Sequence, residues 1–258
     1  MVAVLAMKGA VMMCSYVINT IAFKDKLKKG ISQADIIEES KKMGFDVIEV
    51  RSEFLNGRPE ELERIKKVSE RKNIGVFYSV NDVLYKNGQL NSKLPHYVKQ
   101  MHQMGASNIK LNLGKCGYLN SAGLVRLLDG TFSLKIENNQ TLAESDLVAT
   151  QRFFRLIEGA AIPHISYCFD IANWSWLSAT ANEAAVALAN VTDYVHLKNE
   201  MLIDQRRQVT DSLEKGDLDW RSLIKLLPMA RYLGFEYAST PEVIAEDLEK
   251  VKSFLSSK

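Results

Sequence analysis

Four residues in the second half of the chain have side chains of the kind that hold a divalent cation, and each stands at the end of a short apolar run. They are Glu137 in FSLKIENNQT, Asp170 in HISYCFDIANW, His196 in DYVHLKNE and Glu236 in ARYLGFEYAS. Three carboxylates with one imidazole form an oxygen-rich set that suits Mn, Mg, Co or Zn, and the residue types alone do not choose among them. Each residue also has an ordinary explanation. Glu137 reads as a solvated strand-end carboxylate, Asp170 as the cap of a turn at ANW, and His196 as a core histidine bonded to a backbone carbonyl. Whether the four do chemistry depends on whether the fold brings them together.

The elements that would do so follow from hydrophobic periodicity. Runs rich in Val, Ile, Tyr and Phe alternate with helix-period segments along the chain. The predicted strands are 12–19, 46–51, 74–80, 108–113, 132–137, 164–170, 193–198 and 230–237. The intervening helical segments are SQADIIEESKKM, PEELERIKKVSERK, SKLPHYVKQMHQM, SAGLVRLLD, ESDLVATQRFFRLIE, ANEAAVALAN and WRSLIKLL, and PEVIAEDLEKVKSFL closes the series. Eight strands, each followed by a helix, predict an α/β fold of the single (β/α)8 TIM-barrel type, whose usual length is about 250 residues. A doubly wound open sheet is the alternative. The first strand is not followed by GxGxxG and GxxxxGK[ST] is absent, so no nucleotide-binding version of that sheet is supported. No Pro/Gly/Ser-rich linker interrupts the pattern, which predicts one domain over residues 1–258.

In a barrel, the C-terminal strand ends share one mouth, where the chemistry is placed. The period of two puts Glu137, Asp170, His196 and Glu236 at that mouth on strands five to eight, with Lys198 on the same face as His196. Glu242 competes with Glu236, but Thr240 reads as a helix N-cap, Pro241 as the first helical residue and Glu242 as a first-turn acid. Glu236 is therefore the expected ligand. The second strand alternates Glu49, Arg51 and Glu53 on one face, where charges must be paired or used. Either they form an internal ion-pair layer, or Arg51 and Glu53 contact substrate hydroxyls or a substrate carboxylate with Lys198 opposite. His96 and His102 fall on a helix, and His164 sits at a strand start, the wrong end for the site.

The 258 residues are 47% hydrophobic and 25% charged with a net charge of +2, and the basic residues are scattered, which argues against a nucleic-acid or anionic-membrane surface. Three separated cysteines, Cys14, Cys116 and Cys168, fit reduced thiols in a cytoplasmic protein. The N-terminal MVAVLAMKGAVMMC reads as leading into the first buried strand rather than as a leader, since Lys8 interrupts it and no basic segment precedes it. No apolar run approaches the ~18 to 20 residues that span a bilayer.

At these residues the sequence resembles the xylose isomerase-like barrel superfamily of sugar isomerases and epimerases, which also contains endonuclease IV. Glu137 in IENNQT, Asp170 in FDIANW, His196 in VHLKN and Glu236 in FEY match that superfamily's four metal ligands, and GDLDW (216–220) resembles its glycine-acid-tryptophan segment. A narrower likeness is to the branch associated with 2-ketogluconate use, through ENNQT, DIANW and VRSEF. One departure stands out, because many epimerases of the superfamily carry His three residues after the Asp, where this chain has Asn173. Asn173 can still bond a substrate hydroxyl. Endonuclease IV requires further histidines, and Ser79 or Asn81 and Asn112 stand at the comparable strand ends here.

The resemblance implies a divalent metal cofactor and a small-molecule sugar or sugar acid as partner, with neither nucleic acid nor membrane, and it allows a homo-oligomer. The expected reaction is isomerisation or epimerisation of a keto sugar or sugar acid. A proton is abstracted next to a metal-bound carbonyl, and an enediolate forms. Glu137 and Glu236 flank the substrate so that one removes the proton and the other returns it, and Arg51, Glu53, Lys198 and Asn173 contact it. Trp174 and Trp176 offer an apolar wall or pack elsewhere. Two alternatives remain: a metal-dependent dehydratase or lyase acting on a related polyol or keto acid, and a barrel that binds sugar without turning it over.

Overall fold

The computed structural model describes residues 14–257. The N-terminal run read as a lead-in, and positions 12 and 13 of the first predicted strand, lie outside them. The strands are β1 (Ser15–Asn19), β2 (Val47–Arg51), β3 (Gly75–Lys86), β4 (Gln89–Leu90), β5 (Asn108–Gly114), β6 (Ser133–Glu137), β7 (Ile165–Asp170), β8 (Thr192–Leu197), β9 (Glu200–Ile203), β10 (Arg206–Val209) and β11 (Tyr232–Phe235). Eight of them, all but β4, β9 and β10, pair in parallel in the order β2-β1-β11-β8-β7-β6-β5-β3, and the β2–β3 pairing closes the ring. With helices between the strands this is a (β/α)8 TIM barrel, as the strand count predicts.

Helix ends follow the local chemistry. The helix Pro59–Lys72 starts with Pro in its first turn and ends at Asn73 in the left-handed region, and it buries Leu62, Ile65 and Ser69 at helical spacing. Thr180 and Glu183 form a capping box on Ala181–Leu188. Asp219 caps Trp220–Lys225, and Thr240 caps Pro241–Ser256 with Pro241 next to it. Glu242 is therefore the first-turn acid, and β11 is left to deliver Glu236.

Two features depart from the predicted pattern. Strand β3 runs to Lys86, past a register shift between Ser79 and Val83, and turns back into β4. The hairpin β9–β10 fills what reads as a plain connection after β8. Its turn residues Asp204 and Gln205 both have positive φ without a glycine, and β10 is exposed, so neither turn chemistry nor alternation marks it in the sequence.

The barrel interior is layered. At the bottom, the Lys135 ammonium donates to Asp193 at 2.6 Å and to Ser166 at 2.8 Å. Above it lies an apolar plug of Val17, Val47, Phe77, Cys168 and Tyr194, with Tyr232 against it. The next layer up is ionic and forms the floor of the mouth. Gly234 on β11 is what lets the large rings fit. A Cβ there would stand 2.5 Å from the Tyr194 hydroxyl and 3.0 Å from His196 Cδ2. Gly234→Ala should lower stability by about 1–3 kcal/mol through overpacking, measured by urea unfolding. An unchanged midpoint would mean that Tyr194 and His196 are free to yield.

Candidate active site

All four predicted ligands converge. Glu137, Asp170, His196 and Glu236 each offer one ligand atom, and these atoms lie within 4.8 Å of one another. The parallel register explains part of this, because Asp170 pairs with His196 across β7–β8 and Gly234 pairs with His196 across β8–β11, leaving Glu236 just past the strand end. Asp170 and His196 are fully buried, whereas Glu137 and Glu236 reach the wall of a cavity of about 390 Å³ at the mouth.

Amide side chains do much of the positioning. Asn138 accepts from the Asp170 backbone N–H and donates to its carbonyl, both at 2.9 Å, which staples the end of β6 to the end of β7. Its own carbonyl accepts from Asn173 Nδ2, and Asn173 Oδ1 accepts from Gln140. Asn112 donates to the Glu137 carbonyl at 3.1 Å. The polar tail of KIENNQT is thus a set of clamps around the strand-end carboxylates. Asn173 also lines the cavity, while Trp174 is buried against Phe169 and Trp176 stands outside the lining.

The carboxylate oxygens sort into two kinds. Glu236 Oε1 accepts from Arg51 at 2.7 Å and Asn19 at 3.2 Å, Asp170 Oδ1 accepts from the backbone N–H groups of Ala172 and Asn173 at 2.9 Å, and Glu137 Oε2 lies 2.8 Å from Lys110 Nζ. The other oxygens turn inward. Glu137 Oε1 and Asp170 Oδ2 are buried and make no well-angled hydrogen bond, although His196 Nδ1 lies 2.5 Å from the first and Lys198 Nζ lies 2.5 Å from the second. Glu236 Oε2 stands 3.2 Å from the same Nδ1 and 3.1 Å from Lys198. Outer oxygens held by protein donors, with two inner oxygens beside one imidazole nitrogen and ligand atoms of all four residues within 4.8 Å of one another, fit a divalent cation. Lys198, which lines the cavity, bridges two of these oxygens and would have to share them.

Glu49 sets the imidazole. Its Oε2 lies 3.1 Å from His196 Nε2 and also accepts from the Tyr194 hydroxyl, so one ring nitrogen is fixed outward and Nδ1 faces the inner oxygens. Glu49 is fully buried, and its other oxygen faces Lys110 at 2.9 Å and Asn19 at 2.7 Å. Burial opposes its ionisation, yet Lys110 and His196 hold its carboxyl well below the usual range. Burial likewise opposes ionisation of Glu236, which His196, Lys198 and Lys110 hold well below its ordinary value. For Asp170 burial prevails, and despite Lys198 its pKa is pushed up to about 6, with Glu236 and Glu137 adding to the rise.

Of the charged residues expected to contact substrate, Arg51 and Lys198 line the cavity and Glu53 does not. Arg51 is engaged by Glu236 at 2.7 Å and by Glu53 at 2.6 Å, so the ion-pair layer is present in the structure. Sequence reasoning missed Lys110 altogether. It sits mid-strand in NIKLNL, and the alternation that selects Asn112 also turns Lys110 inward.

No protein-family model matches the chain, and no curated protein matches it. Solved structures do. A D-allulose 3-epimerase from Methylomonas sp. is 14% identical with a TM-score of 0.66, covering 94% of this chain and 98% of that one. A probable 3-DHS dehydratase of petrobactin synthesis from Bacillus anthracis is 13% identical with a TM-score of 0.64, covering 92% and 98%. A xylose isomerase-like TIM barrel/4-hydroxyphenylpyruvate dioxygenase fusion protein is 13% identical with a TM-score of 0.66, covering 93% of this chain and 42% of the fusion. At such identities the likeness is one of fold: the chain shares the (β/α)8 barrel of these structures. Among the described residues no helix is long and apolar enough to cross a membrane.

Removing Glu49 leaves Lys110 and His196 short of a counter-charge in the interior. Glu49→Leu should therefore cost about 3–5 kcal/mol in urea unfolding. A loss under ~1 kcal/mol would mean that the remaining carboxylates suffice.

Proposed function

We propose that the protein is a divalent-metal-dependent isomerase or epimerase of a keto sugar or sugar acid, with Glu137, Asp170, His196 and Glu236 as metal ligands. The observation that carries this reading is that Glu137, Asp170, His196 and Glu236 bring one ligand atom each within 4.8 Å of one another, with Glu137 Oε1 and Glu236 Oε2 beside His196 Nδ1, beneath a cavity of about 390 Å³. The cavity is of monosaccharide size, and its wall is rich in hydroxyl-binding groups, including Asn81, Asn112, Asn139, Gln140 and Asn173. The similarity of fold to a D-allulose 3-epimerase supports the same class. The 2-ketogluconate branch remains the finer proposal, resting on ENNQT, DIANW and VRSEF, and a sugar acid would find Lys198 and Arg51 at the cavity wall.

A divalent ion held by these ligands supplies Lewis acidity to a carbonyl and its neighbouring hydroxyl. The chain's own groups divide the proton work. Glu137 Oε1 lacks a well-angled donor and belongs to a side chain that reaches the cavity, so Glu137 takes the proton next to the carbonyl. Glu236 stands just past the end of β11, its outer oxygen fixed by Arg51 and Asn19; it takes up a proton from solvent and returns that proton to the enediolate from the other side, while the proton held by Glu137 is lost to solvent. Return to the same carbon on the opposite face epimerises, and return to its neighbour isomerises. A positioned base of this kind contributes ~10²- to 10⁴-fold.

Glu137→Gln should slow the wash-in of solvent deuterium at the substrate C–H by ~10²-fold or more, followed by NMR over a panel of ketoses and keto acids. Wash-in at the wild-type rate would remove Glu137 from the proton transfer. The same spectra separate a dehydratase by loss of water, and a binding protein by the absence of exchange.

Ion binding needs Asp170 ionised. Its folded pKa of about 6 lies above the ordinary value of 3.8, so ionising it costs stability as pH rises through that window, and an ion must compete with a proton below it. Apparent affinity for Mn²⁺ should fall by at least about tenfold per pH unit below pH ~6, since His196 must be unprotonated to bind as well, read by titration calorimetry. A flat affinity from pH 6 to pH 5 would contradict Asp170 as a ligand.

A further inference from the structure

Within the ionic layer at the mouth, among the described residues, Lys110 is a buried cation that the proposed reaction does not use. Lys110 projects from β5 into the ionic layer with its side chain only 4% exposed, and it is not part of the cavity wall. Its ammonium lies 2.8 Å from Glu137 Oε2, 2.9 Å from Glu49 Oε1 and 3.7 Å from Glu236 Oε1, with the two ring nitrogens of His196 at 3.4 and 3.5 Å. These are the outer oxygens of two proposed ligands and the inner-facing oxygen of the residue that orients the third. No metal-facing oxygen is among them. Lys198, by contrast, faces the inner oxygens of Asp170 and Glu236 from the cavity side.

We infer that Lys110 is a resident cation filling a second cation seat beneath the four-ligand seat, so that the site accepts one exchangeable divalent ion and keeps its carboxylates oriented without a second. This builds on the four-ligand reading above, but the inner seat is defined independently by Glu49, Glu137, Glu236 and the face of His196. Lys110 is thus a positioning residue. Through Glu137 Oε2 it turns Oε1 inward, and through Glu49 it fixes the imidazole. A covalently attached ammonium costs no binding equilibrium and cannot be chelated away, whereas an ion in the same place could be. Hence the ion-free barrel keeps its upper layer neutral enough to stay folded.

The test compares wild type with Lys110→Ala, both stripped of ions and then titrated with Mn²⁺, reading ions bound per chain and thermal midpoint. Wild type should take no more than one ion. The variant should lose roughly 10 °C when ion-free, the scale expected for an unpaired buried carboxylate cluster. It should then bind one ion more than wild type, with the midpoint recovering as it does. If the variant does not fold without ions, folding on addition of Mn²⁺ supports the inference and failure to fold with it overturns it. Equal ion counts in the two proteins, two ions in wild type, or an ion-free midpoint within a degree or two of wild type would also overturn it. The two readings fail separately: should wild type bind no ion, the four-ligand reading falls, and a single ion gained by the variant would still establish the inner seat.

Discussion

Three buried carboxylates and a fourth at the cavity edge, in one layer of a barrel, are the constraint around which the upper half of this protein is organised. Glu49, Glu137, Asp170 and Glu236 face one another where water cannot screen them, and taking each ion out of water costs several kcal/mol. The layer is tolerable only because Lys110, Lys198 and Arg51 interleave with the acids and because both nitrogens of His196 face carboxylate oxygens. An apolar layer of equal volume would serve stability at least as well. Stability therefore does not account for the ionic layer, whereas the proposed site at the mouth would, and the plug of Val17, Val47, Phe77, Cys168 and Tyr194 beneath it bears the packing.

Orientation follows from the same network. Each carboxylate of the proposed ligand set has one oxygen committed to a protein donor and the other facing His196 or Lys198, and the commitments come from different strands: Asn19 on β1, Arg51 on β2, Lys110 on β5 and the turn after β7. Strand register alone could not achieve this, since it fixes Cα positions and leaves χ angles free. The donors select the rotamers. Asn138 performs the corresponding task for backbone, joining two strand ends where the regular ladder stops.

Much of this was legible in the sequence, for a definite reason. Strands buried on both faces and amphipathic helices repeat along the chain, so the eight-fold count and the mouth-facing ends of strands five to eight follow from periodicity. Capping chemistry at Thr240 and Pro241 decided between Glu236 and Glu242. What stayed hidden depends on partners far away in sequence. Glu49 stands out as one of two charges on β2, with Glu53 falling in the turn just past it, but its bond to His196 spans 147 positions. Lys110 reads as an isolated inward lysine until three carboxylates from β2, β6 and past the end of β11 surround it. The hairpin β9–β10 escaped for a local reason, since its turn uses Asp204 and Gln205 where glycine would have marked it.

The division of labour between the two catalytic candidates follows from how tightly each is held. Glu236 has three cationic neighbours and an amide donor, so its ionised form is strongly favoured and its oxygens have little freedom. Such a carboxylate is a poor acceptor at the moment a proton must move, because each partner that stabilises the anion opposes its protonation. Glu137 has Lys110 on one oxygen and an ill-angled imidazole contact on the other, and it borders the cavity. The asymmetry is what favours, within the proposed reaction, Glu137 for the cavity-side role and Glu236 for the fixed one. Returning a proton from the Glu236 side is then easiest when Lys198 leaves Glu236 for an anionic group of the substrate, which would couple recognition of an acid to the second half of the reaction.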